Sequence, residues 1–484
     1  MKPLFVTGVV FCSIVATAFL LHYKSSVSAN PAKPTTQLVL PPTPNTTLTT
    51  DSNITINYTF NGKALSLEAF PQSDYIKADA PGKEFYLYVS LKGTEIQTDK
   101  KRPPLNISLV LDRSGSMGGD KILYAKKAVD FVIDQLDPTD VLSIVNYDDV
   151  VEISSASMPV KNKESLHDKV SRIDSRGSTN LTGGMLEGYK QVESTKKDGF
   201  VNRVLLLSDG LANVGITEPS QIQSIAQKKL REKGIGISAF GVGADYNEEL
   251  MTNIAEYGGG NYYFIGSPDQ IPGIFAKELQ GLLQVVAQNT SLKVKFPSEV
   301  LSCSKVFGYN YSVSGNEVSI NFNDVFAKEE KGVLLKFVTK GKVEAALNFS
   351  CALQYTDALS FDNLKLTKEV AVRPTSDEKM AVTATKRIVE ESVALFKAAE
   401  LFDEAMSEND KGNYNGARVK SMQLNAYLDS VSAKGISTQK IVKQKENAVK
   451  YYDNVREFEK KSVTEQKMIQ KESKSLNYEV KKGR

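Results

Sequence analysis

The sequence predicts an α/β fold, a doubly wound and mostly parallel sheet, inserted in a β-sandwich and followed by an α-helical C-terminal region. Three observations carry this. Residues 103–287 alternate apolar strands with amphipathic helices, the pattern of a sheet covered on both faces. The flanking stretches, 51–102 and 288–375, show apolar residues at every second position, as in half-buried strands. From residue 376 the apolar residues recur at helical spacing.

The elements follow in chain order. Residues 1–29 read as an export signal or membrane anchor. Met1-Lys2 is a short basic start, Leu4 to Leu21 is an apolar run, and Val27-Ser28-Ala29 resembles a signal-peptidase site. Cys12 follows Phe11, a poor fit to a lipid-attachment box. Residues 30–50 hold five prolines and many threonines and form an extended linker. In the first β segment Ile54, Ile56, Tyr58 and Phe60 alternate, as do Phe85, Leu87 and Val89. The α/β segment then gives strands at Leu105–Leu111, Val141–Tyr147, Val204–Leu207, Ile235–Gly241 and Tyr262–Ile265. Its helices fall at Lys121–Leu136, near Met185, at Pro219–Lys233, Glu248–Tyr257 and Pro268–Ala287. Gly258-Gly259-Gly260-Asn261 reads as a flexible turn. Strands return at Leu292–Phe296, Val318–Phe322, Val333–Val338 and Ala345–Tyr355, and the first β segment alone would make a thin core, so the two β stretches are expected to join. Val389, Val393, Phe396, Ala399 and Phe402 mark the first helix of the region 376–457, where Gly412 to Ala417 turns a helical hairpin. Residues 458–484 are highly charged and read as frayed helix or disorder.

Composition narrows the function classes. The net charge of +3 is nearly balanced and the lysines are spread out, so no nucleic-acid face is expected. The two histidines are His22, beside the apolar run, and His167, read as an exposed helix residue. One imidazole in the folded body argues against histidine-ligated zinc and Ser-His-Asp chemistry. Cys303 and Cys351 fall in the later β segment of an exported chain, where either one disulfide or two unpaired thiols fits. The Asn-x-Ser/Thr sites, Asn180 among them, read as composition bias.

The chemistry sits in three loops. Asp112-Arg113-Ser114-Gly115-Ser116 begins where an apolar strand stops, so a glycine-assisted turn can aim one carboxylate and two hydroxyls inward. Arg176 to Gly184 offers a further hydroxyl, from Thr179 or Thr182. Ser208-Asp209-Gly210 sits at the end of the strand Val204–Leu207. In open α/β sheets, ligand sites gather beyond the carboxyl ends of the strands. Such hard oxygen donors suit Mg2+ first, with Mn2+ or Ca2+ as alternatives.

Asp-x-Ser-Gly-Ser, Gly-x-Thr-Asn and Ser-Asp-Gly, in this order, resemble the metal-ion-dependent adhesion site of von Willebrand factor A domains, a Rossmann-like family. The resemblance covers about residues 103–287, Phe240-Gly241-Val242-Gly243 included. It implies that Ser114, Ser116 and Thr179 contact the ion, that Asp112 and Asp209 act largely through bound water, and that a partner carboxylate completes the shell. The implied function is non-catalytic: divalent-metal-dependent binding of a protein presenting Asp or Glu, for adhesion or assembly at the cell envelope. The chain would then be extracytoplasmic, either secreted or periplasmic or held in the membrane by an uncleaved N-terminal segment. One alternative is a scaffold or chaperone-type adaptor recruiting a separate ATPase or membrane complex, since the chain has no phosphate-binding Gly-x-x-x-x-Gly-Lys loop. Another is a metal-assisted hydrolase, against which stands the lack of a general base near the loops.

Overall fold

The computed structural model describes residues 64–482 apart from 80, 96–102, 210–211, 323, 359 and 384. The expected export signal, the linker and the alternating strand from Ile54 to Phe60 lie outside the described residues.

Strands β1 (Leu65–Pro71), β2 (Tyr75–Lys77) and β3 (Glu84–Gly93) come first. The α/β unit follows: β4 (Leu105–Asp112), α1 (Asp120–Gln135), β5 (Val141–Tyr147), β6 (Val151–Pro159), α2 (Lys163–Ser171), α3 (Leu181–Ser194), β7 (Val201–Ser208), α4 (Pro219–Lys233), β8 (Gly236–Val242), α5 (Glu248–Tyr257), β9 (Gly259–Ile265) and α6 (Ile271–Leu283). Its six-stranded sheet has the order β6-β5-β4-β7-β8-β9. All neighbours are parallel except β5 and the edge strand β6. Residues of α1, α2 and α6 pack on one face, and residues of α3, α4 and α5 on the other. β4 and β7 are buried along their whole length, which is why they read as unbroken apolar runs. The chain leaves β4 toward β5, then returns to lay β7 on the other side. The strand order therefore reverses between β4 and β7, and a crevice opens at their carboxyl ends.

The flanking strands are β10 (Val285–Lys295), β11 (Leu301–Phe307), β12 (Tyr311–Ser314), β13 (Glu317–Asn321), β14 (Val325–Phe326), β15 (Glu330–Thr339), β16 (Leu347–Asp357) and β17 (Asn363–Thr375). They complete two sheets. One has the order β1-β3-β15-β11 and joins residues from before and after the α/β unit. The other runs β12-β13-β10-β16-β17-β2, with β14 on β10. Leu87, Leu292, Val294, Phe337 and Phe349 lie in the common core, where Phe349 stacks on Phe85 with ring centroids 6.0 Å apart. The α/β unit is thus inserted in a sandwich, as the patterning predicts. A buried ion pair ties insert to host: the Arg203 guanidinium, on β7, meets the Asp324 carboxylate of the loop before β14 and donates to the Gly259 carbonyl at 3.0 Å.

The C-terminal region comprises α7 (Glu378–Thr383), α8 (Arg387–Asp410), α9 (Tyr414–Ala433), α10 (Gln439–Arg456) and α11 (Val463–Lys481). The last four enclose their own apolar core around Phe402, Leu424 and Tyr451.

Four expectations need correction, and the choice left open for the cysteines is decided. The helix expected over Pro268–Ala287 stops at Leu283, because Val285 and Ala287 pair with Phe326 and Val325 as the start of β10. The helix expected near Met185 begins at Leu181, because the Asn180 side chain caps it by accepting the Gly183 N–H at 2.9 Å. Gly259 to Asn261 is no flexible turn but buried strand, the beginning of β9. A Cβ on Gly260 would sit 2.0 Å from the Ile237 carbonyl oxygen, so glycine is what lets β9 lie this close to β8. Residues 458–484 are not a frayed tail: α11 buries Gln470 and Asn477, whose side-chain amides donate to the Met406 and Ala399 carbonyls, beside Ser473, Tyr478 and Val480, so much of its inward stripe is polar and carries little hydropathy signal. Cys303 and Cys351 are unpaired, on strands of different sheets. Burial pushes the Cys303 thiol up to about 11 and the Cys351 thiol up to about 12.

His167 is half-buried rather than exposed. Its Nδ1 lies 2.6 Å from Asp130 Oδ1 and its Nε2 3.0 Å from Asp134 Oδ1, which ties α2 to α1. Partial burial disfavours the charged ring, but the two carboxylates outweigh it and raise the pKa. A raised folded pKa means stability that is fully present below the unfolded value and lost as pH rises through the folded one. The His167 imidazole should therefore titrate above 6.5 in the folded protein, and Asp130→Asn should bring it down; an unchanged NMR midpoint in that variant would rule out the pair.

Candidate metal site at the carboxyl ends of β4 and β7

Asp112 is the last residue of β4 and Asp209 follows β7, so both carboxylates stand at the crevice where the strand order reverses. Both residues are fully buried. Asp112 Oδ1 accepts the Ser114 backbone N–H at 2.8 Å, which curls the loop back and fixes where Ser114 points. Asp112 Oδ2 accepts the Ser208 hydroxyl at 2.6 Å and the Tyr147 hydroxyl at 3.4 Å. Asp209 Oδ2 lies 3.2 Å from the Lys121 ammonium, and Asp209 Oδ1 is buried with no hydrogen-bond partner.

The hydroxyls converge on the same loops. Ser114 is buried, Ser116 is exposed, and their Oγ atoms are 3.1 Å apart. Gly115 N–H donates to the Gly177 carbonyl at 3.0 Å and Arg176 N–H to the Arg113 carbonyl at 2.7 Å, so the second loop is laced to the first. Thr179 is buried, its N–H held by Asn213 Oδ1 at 2.8 Å and its carbonyl accepting the Asn213 and Val214 N–H groups. Thr182 lies inside α3 and spends its hydroxyl on the Ile216 carbonyl at 2.5 Å. Of the two hydroxyls left open by the sequence, that of Thr182 is thus committed elsewhere. Behind the loops, Asp148 accepts from Arg113 Nε and Arg176 Nε at 2.8 Å each, a brace between first and second loop.

The electrostatics are those of a site short of positive charge. Burial pushes the Asp112 carboxyl up to about 6; hydrogen bonds from Ser114 and Ser208 oppose this, while the Asp209 charge adds to it. Among the described residues no group of three or more His, Cys, Asp or Glu side chains is placed to hold an ion. An ion here would rest on hydroxyls backed by two carboxylates. The donor set fits Mg2+: adjacent ligands of an octahedron with bonds of about 2.0–2.1 Å lie about 2.8–3.0 Å apart, close to the 3.1 Å between the two serine oxygens. The unpartnered Asp209 Oδ1 is a second mark of fit, since a buried carboxylate oxygen costs stability until a cation or its bound water reaches it.

Ser208, Tyr147, Lys121 and Asn213 were not singled out from the sequence. Ser208 alone had a signal, being part of Ser-Asp-Gly; the others come from elements whose spacing says nothing of the crevice.

Comparison with known proteins bears on the α/β unit and on the fold. The profile of the von Willebrand factor type A domain matches residues 106–277. The chain is 32% identical over 209 residues to an uncharacterized protein, YfbK, of Escherichia coli K12, an overlap of 43% of this chain and 36% of the relative. It is 23% identical over 229 residues to human inter-alpha-trypsin inhibitor heavy chain H3, covering 45% of this chain and 25% of the relative. The match thus spans well under two thirds of either relative's length. Two solved structures share the fold over nearly their whole length. One is a von Willebrand factor type A protein from Catenulispora acidiphila, with a TM-score of 0.65, 14% identity and coverage of 88% of this chain and 99% of that one. The other is the ArnB paralog VWA2 from Sulfolobus acidocaldarius, with a TM-score of 0.57, 18% identity and coverage of 87% and 99%.

Proposed function

Because the chain carries a von Willebrand factor type A domain at residues 106–277, we propose that it is a non-catalytic binding protein that grips an acidic side chain of a partner protein through a divalent ion, Mg2+ by preference. The observation that carries this reading is the convergence of three loops, distant in sequence, on two buried carboxylates, one of which keeps an oxygen without a partner. Ser114, Ser116 and Thr179 would hold the ion, with Asp112 and Asp209 behind them. When bound, the ion would supply the positive charge that attracts an acidic side chain. The residues around it do the rest. Asp112 holds the first loop in its turn, Asn213 pins Thr179, and the Arg113–Asp148–Arg176 brace keeps the first two loops in register. The direct ligands are neutral, so the ion keeps much of its charge and favours a carboxylate over an amide as its last ligand.

The place of action follows from the N-terminal export pattern: an extracytoplasmic position at the cell envelope. Among the described residues no helix is long and apolar enough to cross a membrane. The test is affinity capture from an envelope extract, with Mg2+ and with excess chelator. Partners should be recovered only with metal, and should be lost when one exposed Asp or Glu on the partner is replaced by Ala. Capture at full strength in chelator would overturn the reading.

A further inference from the structure

Lys121 has no role in the coordination set just described, yet it reaches the site. It is the second residue of α1, immediately after the metal loop. A lysine in the first turn of a helix sits at the positive end of the helix dipole and ordinarily turns into water. This one is directed inward, its side chain 20% exposed and its ammonium 3.2 Å from Asp209 Oδ2. The stem has a prepared track. Gly243, at the end of β8, has φ of +79°, and a Cβ there would sit 2.7 Å from Lys121 Cε. A side chain at 243 would have to displace the lysine stem, so glycine leaves the stem room along this strand end. The facing charged groups are Asp209 itself, Asp112 beyond it, and Asp245 on the rim, whose carboxyl also feels Lys121.

We propose that Lys121 is a tethered cation that stands in for the ion at Asp209 when the site is empty and sets the charge of the site when it is loaded. This rests on the metal-binding reading above. With Asp245 matched by the Lys467 ammonium at 2.6 Å, the Asp112 and Asp209 carboxylates and the Lys121 ammonium leave the metal-free cluster with one net negative charge. A divalent ion turns that into one net positive charge, which a single partner carboxylate neutralises. Without Lys121 the loaded cluster would already be neutral and would draw a carboxylate less. Lys121 therefore weakens metal binding, because the ion must come in beside a fixed positive charge, and strengthens the call for an acidic ligand. It also gives the metal-free protein a counter-charge for a buried aspartate, so that loading and emptying need not unfold the loops.

The experiment is a calorimetric titration of Mg2+, repeated with Mn2+, into metal-stripped protein, with thermal unfolding in excess chelator alongside. Lys121→Met keeps the stem and removes the charge; Lys121→Arg keeps the charge; Asp112→Asn serves as the site control. The expected result is metal binding tighter by about tenfold in Lys121→Met, near-parental binding in Lys121→Arg, and binding weaker by about 10–100-fold or more in Asp112→Asn. In chelator, Lys121→Met should melt below the parent because Asp209 has lost its counter-charge. Damage to the fold could only weaken metal binding, so a tightening separates the charge effect from a structural one. Equal or weaker binding in a folded Lys121→Met, with the parent still binding, would overturn the role of Lys121 and leave the metal site standing. Absence of metal binding in parent and Lys121→Met alike would overturn both.

Discussion

Asp112→Asn is expected to lower the affinity for Mg2+ by about 10–100-fold or more, the range found when groups behind a metal's direct ligands are removed. Asparagine keeps the shape: its oxygen can accept the Ser114 N–H and its amide can donate to the Ser208 hydroxyl oxygen, so both contacts of the loop keep a partner. What it removes is the charge. In the metal-free protein that loss should do no harm. The Asp112 carboxyl is raised to about 6, so the stability tied to its protonated form is present below its unfolded value of 3.8 and is lost as pH rises through about 6. Above pH 6 the parent carries a buried charge beside Asp209, and Asp112→Asn does not. In chelator at pH 7 the variant should be at least as stable as the parent. With Mg2+ at 100 times its dissociation constant the order reverses, because the parent gains about 2.7 kcal/mol and the variant gains little. Thermal unfolding with and without Mg2+ reads both signs; a variant that kept the full metal-induced stabilisation would remove Asp112 from the site.

The second large effect lies at the opposite end of the same strands. Arg203→Met should destabilise the protein by about 3–5 kcal/mol, the usual cost of removing one partner from a buried ion pair. The Arg203 side chain is 2% exposed and Asp324 11% exposed. Burial already holds the Asp324 carboxyl above its usual range despite the guanidinium, so without Arg203 it keeps only the Lys331 ammonium in its favour and is driven further toward its protonated form. Met fills most of the vacated volume, which confines the effect to charge and hydrogen bonds. Arg203→Met combined with Asp324→Leu should recover most of the loss, since an apolar pair of similar size leaves no charge stranded. The chain has no tryptophan, so urea unfolding is followed by circular dichroism. Additive losses in the double variant would show that the two residues do not act as a pair.

How much of this was legible in the sequence depended on what each residue faces. Where a strand is buried on both sides, as Leu105–Asp112 and Val201–Ser208 are, the apolar run marked it plainly. Val141–Tyr147, Pro219–Lys233 and Glu248–Tyr257 have the bounds that spacing gave them. Two of the strands that escaped notice have little burial to signal them, Tyr311–Ser314 being exposed throughout and Asn363–Thr375 burying only Val372; Leu65–Pro71 and Leu301–Phe307 escaped as well although they bury apolar residues. The candidate residues Asp112, Ser114, Ser116, Thr179 and Asp209 could be picked out because their motifs sit at or beside element ends. Lys121 and Arg203 could not. A lysine in a helical first turn and an arginine in an apolar strand have the same appearance whether they face solvent or a buried aspartate, and only the fold decides which.

The sheet that spans the insertion also sets an order of events. Lys83, next to β3, bonds to Thr339 at the end of β15, a partner 256 residues further along the chain. At a synthesis rate of about 5–20 residues per second, β3 emerges from the ribosome tens of seconds before the strand it must pair with. The α/β insert has all its own strands by then and can close around β4 while the host sandwich is still half made. During that interval Phe85, Leu87 and Val89 have no sheet to cover them. The nascent chain therefore has a window in which its first strands, rather than its finished surface, are what a chaperone must recognise.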